Sequence, residues 1–334
     1  MKNYSISNKD LVTFLIVTFG LTILMGFAMY IAYPTYSVDS FPLVQMYYPA
    51  LGAMVALLLN KDLSKEIPKN FFSAYIFFVI SSVCYLLIKL FIFHQDPSID
   101  LEIGILIGSI ILFIAYKLDE KEKIERFGFS SKKSFKGSIP YVILFILLYL
   151  SCILIASLVT GEVNRIIDPF KSLRTWVRLL LLPLSFLLSY PAFLGEEYGW
   201  RYFLQSALQE RMGKRKGVLI LGLLWGIWHL PINLFYYSPQ TSFYSVLNQL
   251  IVCVSYSIFF GYVYMRTENI WIISMIHFFN NNLGFVLFGA TGANVVFSWQ
   301  AIVFNLILFS IVYAPFLLAN DYRNQSYLKT NAEE

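Results

Sequence analysis

Charge is what this sequence has least of. Only 13% of its 334 residues are Asp, Glu, Lys or Arg, where a water-soluble domain carries roughly a quarter. A soluble globular protein is thereby excluded. So is disorder, which needs low hydrophobicity and high net charge. Cysteine is nearly absent too. Cys84, Cys152 and Cys253 lie inside apolar runs with no C-x-x-C pair, so neither a disulfide framework nor a thiolate zinc site is indicated. There is no Ser in a G-x-S-x-G setting, no Cys with a His close by in sequence and no H-E-x-x-H. A covalent nucleophile is not signalled, and a zinc protease helix is not spelled out.

What the chain has in abundance is apolar length. Fifty-eight per cent of it is hydrophobic, with a mean hydropathy of +0.65. The apolar stretches are continuous, whereas the strands of a membrane β-barrel alternate. Ten runs are marked, at about 11–33, 41–59, 71–94, 103–117, 138–160, 176–195, 217–237, 243–265, 270–290 and 297–319. The fourth is the shortest, since a span needs about 20 residues. The reading is an all-α polytopic bundle of about ten transmembrane helices (eight to ten), an integral multi-pass protein of a lipid bilayer and of the cell membrane if bacterial. The polar start (Met1 to Asp10) leads into a long run with no small-residue cleavage site, which reads as an uncleaved first span.

Basic residues test this division. Twenty of the 25 Lys and Arg fall in connections on the N-terminal side, and only Arg165, Lys171 and Arg174 on the other, with Lys89 and Arg178 near span ends. Positive charge collects on the cytoplasmic side, so both termini are expected there. The net charge of +5 is thus a topology signal, and no nucleic-acid partner is implied. The longest polar connection, near Leu118 to Gly137, is too short for a domain. Function therefore belongs to the spans.

An ionisable group in hydrocarbon costs at least ~2.5 kcal/mol and by default marks a functional interior. Such groups gather late in the chain. Gly195-Glu196-Glu197-Tyr198-Gly199-Trp200-Arg201 closes the sixth run. Glu197 and Arg201 are four apart and share a helix face, while Glu196 is turned away by about 100°. An ordinary charged helix end would look similar, but Tyr202-Phe203-Leu204 continues apolar beyond it. Trp225-Gly226-Ile227-Trp228-His229-Leu230-Pro231 puts His229 about 18 Å along the seventh span. His277-Phe278-Phe279-Asn280-Asn281-Asn282 puts His277 about 10 Å into the ninth, with Asn281 on its face. Taken alone, the second reads as a core His bonded to a carbonyl and the third as interhelical hydrogen-bond glue. All three together are better explained by one shared interior. His94, the only other histidine, sits by Gln95-Asp96-Pro97 at a span end and reads as interfacial.

A carboxylate and an imidazole activate water, and a second imidazole beside an amide stabilises an oxyanion. This set suits hydrolysis of an acyl bond, most plausibly a peptide. Two His and a Glu are also ligand types for a catalytic zinc, so a divalent metal stays open. A proton-relay transporter is disfavoured, because the polar residues are confined to one half and paired repeats are missing.

Glu196-Glu197-x-x-x-Arg201, Trp225-x-x-x-His229 and His277-x-x-x-Asn281 resemble, in order and spacing, the E-E-x-x-x-R, F-x-x-x-H and H-x-x-x-N motifs of the CPBP family of intramembrane proteases. That family includes type II CAAX prenyl endopeptidases and bacteriocin-processing or self-immunity proteins. Trp225 stands where Phe is usual and keeps an aromatic wall. The resemblance covers about residues 176–319, leaving 1–175 as N-terminal spans of unassigned role and 320–334 as a cytoplasmic tail. It implies an endopeptidase acting on a peptide or prenylated protein tail. It also implies Glu196 as general base with His229 on the same water, Glu197 and Arg201 positioning the site, and His277 with Asn281 on the oxyanion. A non-catalytic immunity factor or scaffold is the alternative.

Overall fold

The computed structural model describes residues 4–130, 135–289 and 292–323. Lys2, Lys132, Lys133 and Lys329 of the charge count, and the expected tail beyond residue 323, lie outside the described residues. Within them every regular element is helical. Among the described residues nine helices are long and apolar enough to span a bilayer, and one bent pair makes a tenth crossing.

The crossings follow the chain. They are α1 (Asn8–Ala32), α2 (Ser40–Leu59), α3 (Lys69–Phe91) and α4 (Ser98–Leu118). After the short α5 (Lys121–Arg126) come α6 (Phe135–Thr160) and α7 (Leu173–Met212). The broken crossing α8 (Lys214–Trp228) plus α9 (Leu230–Tyr237) follows. Then come α10 (Ser242–Thr267), α11 (Ile270–Phe288) and α12 (Trp299–Tyr313). α1 starts on a capping box, in which Ser7 and Asp10 satisfy each other's backbone N–H.

Side-chain contacts knit the basic connections together at one end. Asn60 donates to Asp10 (3.0 Å), Arg211 to the Asn8 side chain (3.2 Å) and Arg215 to the Leu317 carbonyl (3.0 Å), and Arg266 pairs with Asp321 (3.0 Å). The first and last described segments therefore lie at the same end. At the opposite end Ser40 meets Ser98 (2.9 Å), and the Tyr236 carbonyl accepts from Asn294 N (3.0 Å). His94 also lies there, bonded to Tyr36 (2.5 Å) and apart from the other two histidines.

Three spans differ from the sequence expectation. The fourth is a full 21-residue helix that begins five residues earlier than its apolar run. Asp100 is accommodated inside it by Lys89 (3.1 Å) and the Tyr85 hydroxyl (2.7 Å). The sixth does not end at residue 195 but runs on to Met212. The seventh is not one helix, because it bends by 45° at His229. Pro231 explains the bend: it has no N–H to give and its ring collides with the preceding turn.

The surface separates lipid-facing from inward elements. Ile16, Phe27, Leu180, Leu184 and Ile311 are exposed apolar residues, a belt that is costly in water and at home in lipid. α2 and α11 are the most enclosed, with 67% and 61% of their central windows buried. The boundary expected at residue 175 is not a gap in packing. The Tyr75 hydroxyl donates to the Pro191 carbonyl (2.8 Å), and Gln45 donates to that of Trp228 (2.8 Å).

α2 reaches α7 because two glycines let it. A Cβ on Gly195 would lie 2.5 Å from the Met46 carbonyl oxygen, and one on Gly199 would overlap the Pro49 backbone. Gly104 has nothing within 4 Å of such an atom. Gly199→Val is therefore expected to destabilise by about 1–3 kcal/mol through overpacking, read as a lower Tm in detergent, while Gly104→Val leaves Tm unchanged.

Candidate active site

The site is built around α7. Its α-helical part, Leu173–Glu197, gives way to a π-helical stretch, Tyr198–Gln205, before α-geometry returns at Ser206–Met212. Such widened turns recur at functional sites. Pro191 does not break the helix; its segment is held by the Tyr75 bond. The Glu pair thus sits in the interior of a 40-residue helical element, not at its inner mouth. Burial is nearly complete: Glu196 is 2% exposed, and Glu197 and Arg201 are 0% exposed.

Glu197 has both oxygens occupied. Oε2 accepts from Arg201 Nε (2.8 Å), and Oε1 lies 2.7 Å from His277 Nδ1 of α11. Arg201 is held further by Ser257 of α10 (3.3 Å) and by the faces of Trp225 (4.9 Å) and Phe260 (5.3 Å). A buried cation is tolerable only with partners of this kind. Removing one is therefore costly. Arg201→Ala is expected to lower stability by about 3–5 kcal/mol, and Glu197→Gln/Arg201→Gln to restore part of the lost Tm.

Glu196 is held differently. The indole N–H of Trp225 donates to its Oε2 at 2.8 Å, and the indole of Trp200 also reaches it. Sequence reading cast Trp225 as a wall; it is also a donor, and a Phe would supply the ring without the N–H. Its ring centroid lies 5.6 Å from that of His277 and 6.0 Å from that of His229. One indole therefore adjoins Glu196, Arg201 and both histidines.

His229 is the hinge of the broken span. Its Nδ1 bonds the Trp225 carbonyl (2.8 Å). A carbonyl only accepts, so Nδ1 carries the proton and Nε2 keeps its lone pair in the neutral ring. The His229 carbonyl takes both the backbone N–H (3.0 Å) and the side-chain amide (2.9 Å) of Asn233, which in turn accepts from Ser245 (2.6 Å). Folding also brings Cys253 near, its Sγ 3.9 Å from His229 Nδ1. Because that nitrogen is already donating elsewhere, it offers the thiol no base.

The fold brings Glu196, Glu197, Arg201, His229 and His277 around Trp225. Asn281 stands apart. It is exposed and accepts from Asn280 (2.9 Å), and among the described residues no hydrogen bond joins it to the other five. Sequence reading did not find Ser257, Asn233 or Gln45. They lie on other helices and carry no local signal. Among the described residues Trp228 Nε1 and Arg201 Nη2 are buried donors without a protein partner, and Trp200 and Trp228 pack edge to face at 5.5 Å.

A three-ligand zinc does not fit this donor set. Glu197 is consumed by Arg201 and His277, and among the described residues no three His, Cys, Asp or Glu side chains converge as ligands. Glu196 and His229 both adjoin the Trp225 indole, and a carboxylate and a neutral imidazole are the groups that move protons to and from water.

Residues 177–283 match the family described as Rce1-like, type II CAAX prenyl endopeptidase Rce1-like. No curated protein and no solved structure matches the chain. The matched segment, about a third of the chain, contains the whole cluster and Asn281, so the site of this multi-pass helical membrane protein lies in the part that is similar to CAAX-type proteases.

Proposed function

We propose that this chain is an intramembrane endopeptidase that hydrolyses a peptide bond with water activated by Glu196 and His229. The observation carrying the reading is the unequal treatment of the adjacent carboxylates. Glu197 is hydrogen-bonded by both Arg201 and His277, whereas Glu196 is contacted only by the indole N–H groups of Trp225 and Trp200 and by no cation in hydrogen-bond reach. One glutamate is a strut and the other a base.

In the proposed reaction a water lies between Glu196 and His229 Nε2. Glu196 takes its proton while the oxygen attacks the carbonyl carbon. The carbonyl oxygen becomes an oxyanion, stabilised by the His277 imidazole, with Asn281 one turn further along α11. The proton on Glu196 passes to the departing amine as the C–N bond breaks, and the carboxylate returns. Arg201 and Glu197 position His277. The family supports a peptide or prenylated protein tail as substrate. The charge count supports cytoplasmic termini, since the basic connections share one end.

Glu196→Gln and His229→Ala, each inserted normally, are expected to lower kcat by about 10²–10⁴, measured on purified protein with candidate tail or leader peptides. Cleavage at the wild-type rate by both variants sinks the assignment and favours a scaffold or immunity role. Because the donors do not assemble a zinc site, cleavage is expected to survive chelation; its abolition by chelator, with recovery on adding zinc, would overturn the metal-free scheme. His277→Ala is expected to cost far more rate than Asn281→Ala, since only His277 is built into the cluster.

A further inference from the structure

Glu196 and His229 belong to different helices, yet one residue bonds both. Trp225 lies one turn before His229 at the end of α8. Its backbone carbonyl accepts from His229 Nδ1 at 2.8 Å, and its indole N–H donates to Glu196 Oε2 at 2.8 Å. The second indole at Glu196, that of Trp200, comes from α7 itself. It travels with the carboxylate, whereas Trp225 ties that carboxylate to the helix that leads into the imidazole.

The Trp225 ring has little room to turn. It is 3% exposed. The Arg201 guanidinium lies over its face at 4.9 Å, the Phe260 ring is 6.1 Å away and the His277 imidazole stands edge-on at 5.6 Å. Its stretch of backbone is pressed against α10. A Cβ on Gly222 would lie 2.6 Å from Val254 Cα, and one on Gly226 would lie 2.8 Å from Leu250 Cδ2. The ring is therefore wedged between the Glu197–Arg201 pair and α10, with its N–H on Glu196.

The kind of donor matters as well. An indole offers one N–H, accepts nothing and carries no charge. It holds a carboxylate oxygen without the ion pair that Arg201 makes with Glu197, so the held group keeps its capacity to take a proton. A Phe ring in the same place would hold nothing.

We infer that Trp225 is a positioning residue that sets the spacing of Glu196 and His229, its side chain holding the one and its backbone carbonyl the other. The inference rests on the proposed peptidase reading and adds to it the residue that couples the two groups acting on the water. Replacing the side chain releases Glu196 alone, because the carbonyl on His229 stays.

The test uses the full chain in nanodiscs. Trp225 is replaced by Phe, or by benzothienylalanine, which keeps both fused rings and puts sulfur where the N–H was. A fluorotryptophan at the same position keeps the N–H. The first readout needs no substrate. In isotope-labelled protein, the indole N–H resonance that disappears in Trp225→Phe is expected to shift when Glu196→Gln removes the charged acceptor; an unmoved resonance overturns the proposal. The second readout is cleavage of an internally quenched peptide that the wild-type chain turns over. Benzothienylalanine is expected to lower kcat roughly 10- to 100-fold, the worth of one hydrogen bond to a charged group, with KM within about twofold and Tm unchanged. The fluorotryptophan chain is expected to keep the wild-type rate. Wild-type kcat with benzothienylalanine, or an equal loss with fluorotryptophan, overturns the positioning role. Cleavage at the wild-type rate by Glu196→Gln would instead overturn the reaction.

Discussion

Glu197 is the group on which the rest of the site depends. It is fully enclosed, and hydrocarbon offers no water to solvate its charge. Arg201 answers it from the same helix and His277 from α11, while Trp225 and Phe260 cover the guanidinium from two further spans. Four helices are thereby committed to one geometry. A loss of any partner leaves a buried charge exposed to a medium that cannot accommodate it, so the helices have little freedom to drift apart. This rigidity is what allows the neighbouring Glu196 to remain without a hydrogen-bonded cation. A carboxylate in that condition is expensive to keep, and its retention is the reason for assigning it the proposed chemistry.

The helix irregularities follow the same logic. An ideal α7 would carry Glu196, Glu197 and Arg201 past the facing helices on a fixed 3.6-residue spiral. The π-helical stretch from Tyr198 to Gln205 widens that spiral where Gly195 and Gly199 press against α2. Straight continuation of α8 would likewise run past the site. At the Pro231 bend the His229 carbonyl accepts from Asn233 twice. The break fixes the imidazole's hydrogen-bonded nitrogen toward the Trp225 carbonyl and leaves the other nitrogen uncommitted. Backbone disorderliness of this sort survives in a membrane only where it is enclosed by protein.

The N-terminal spans, which carry none of the motif residues, take part in this arrangement. Tyr75 and Gln45 bond carbonyls of α7 and α8 close to the cluster, and the Met46 carbonyl borders Gly195. They form a supporting wall for the core.

The membrane class, the helical architecture and the number of crossings were legible in the residues themselves, because a bilayer demands about twenty apolar residues per helix and sorts basic loops to one side. So was the short list of polar residues inside spans, since each carries a penalty that demands a use. The pairing of Glu197 with Arg201 followed from their spacing of four. Which carboxylate meets His277, the indole N–H on Glu196, the proximity of Cys253 to His229 and the isolation of Asn281 did not follow. Those relations join helices far apart in the chain, and helix periodicity reports only which residues share a face, not which helix that face will meet. Rotation and tilt of packed spans are set by contacts such as glycine on proline, and only the assembled bundle decides them.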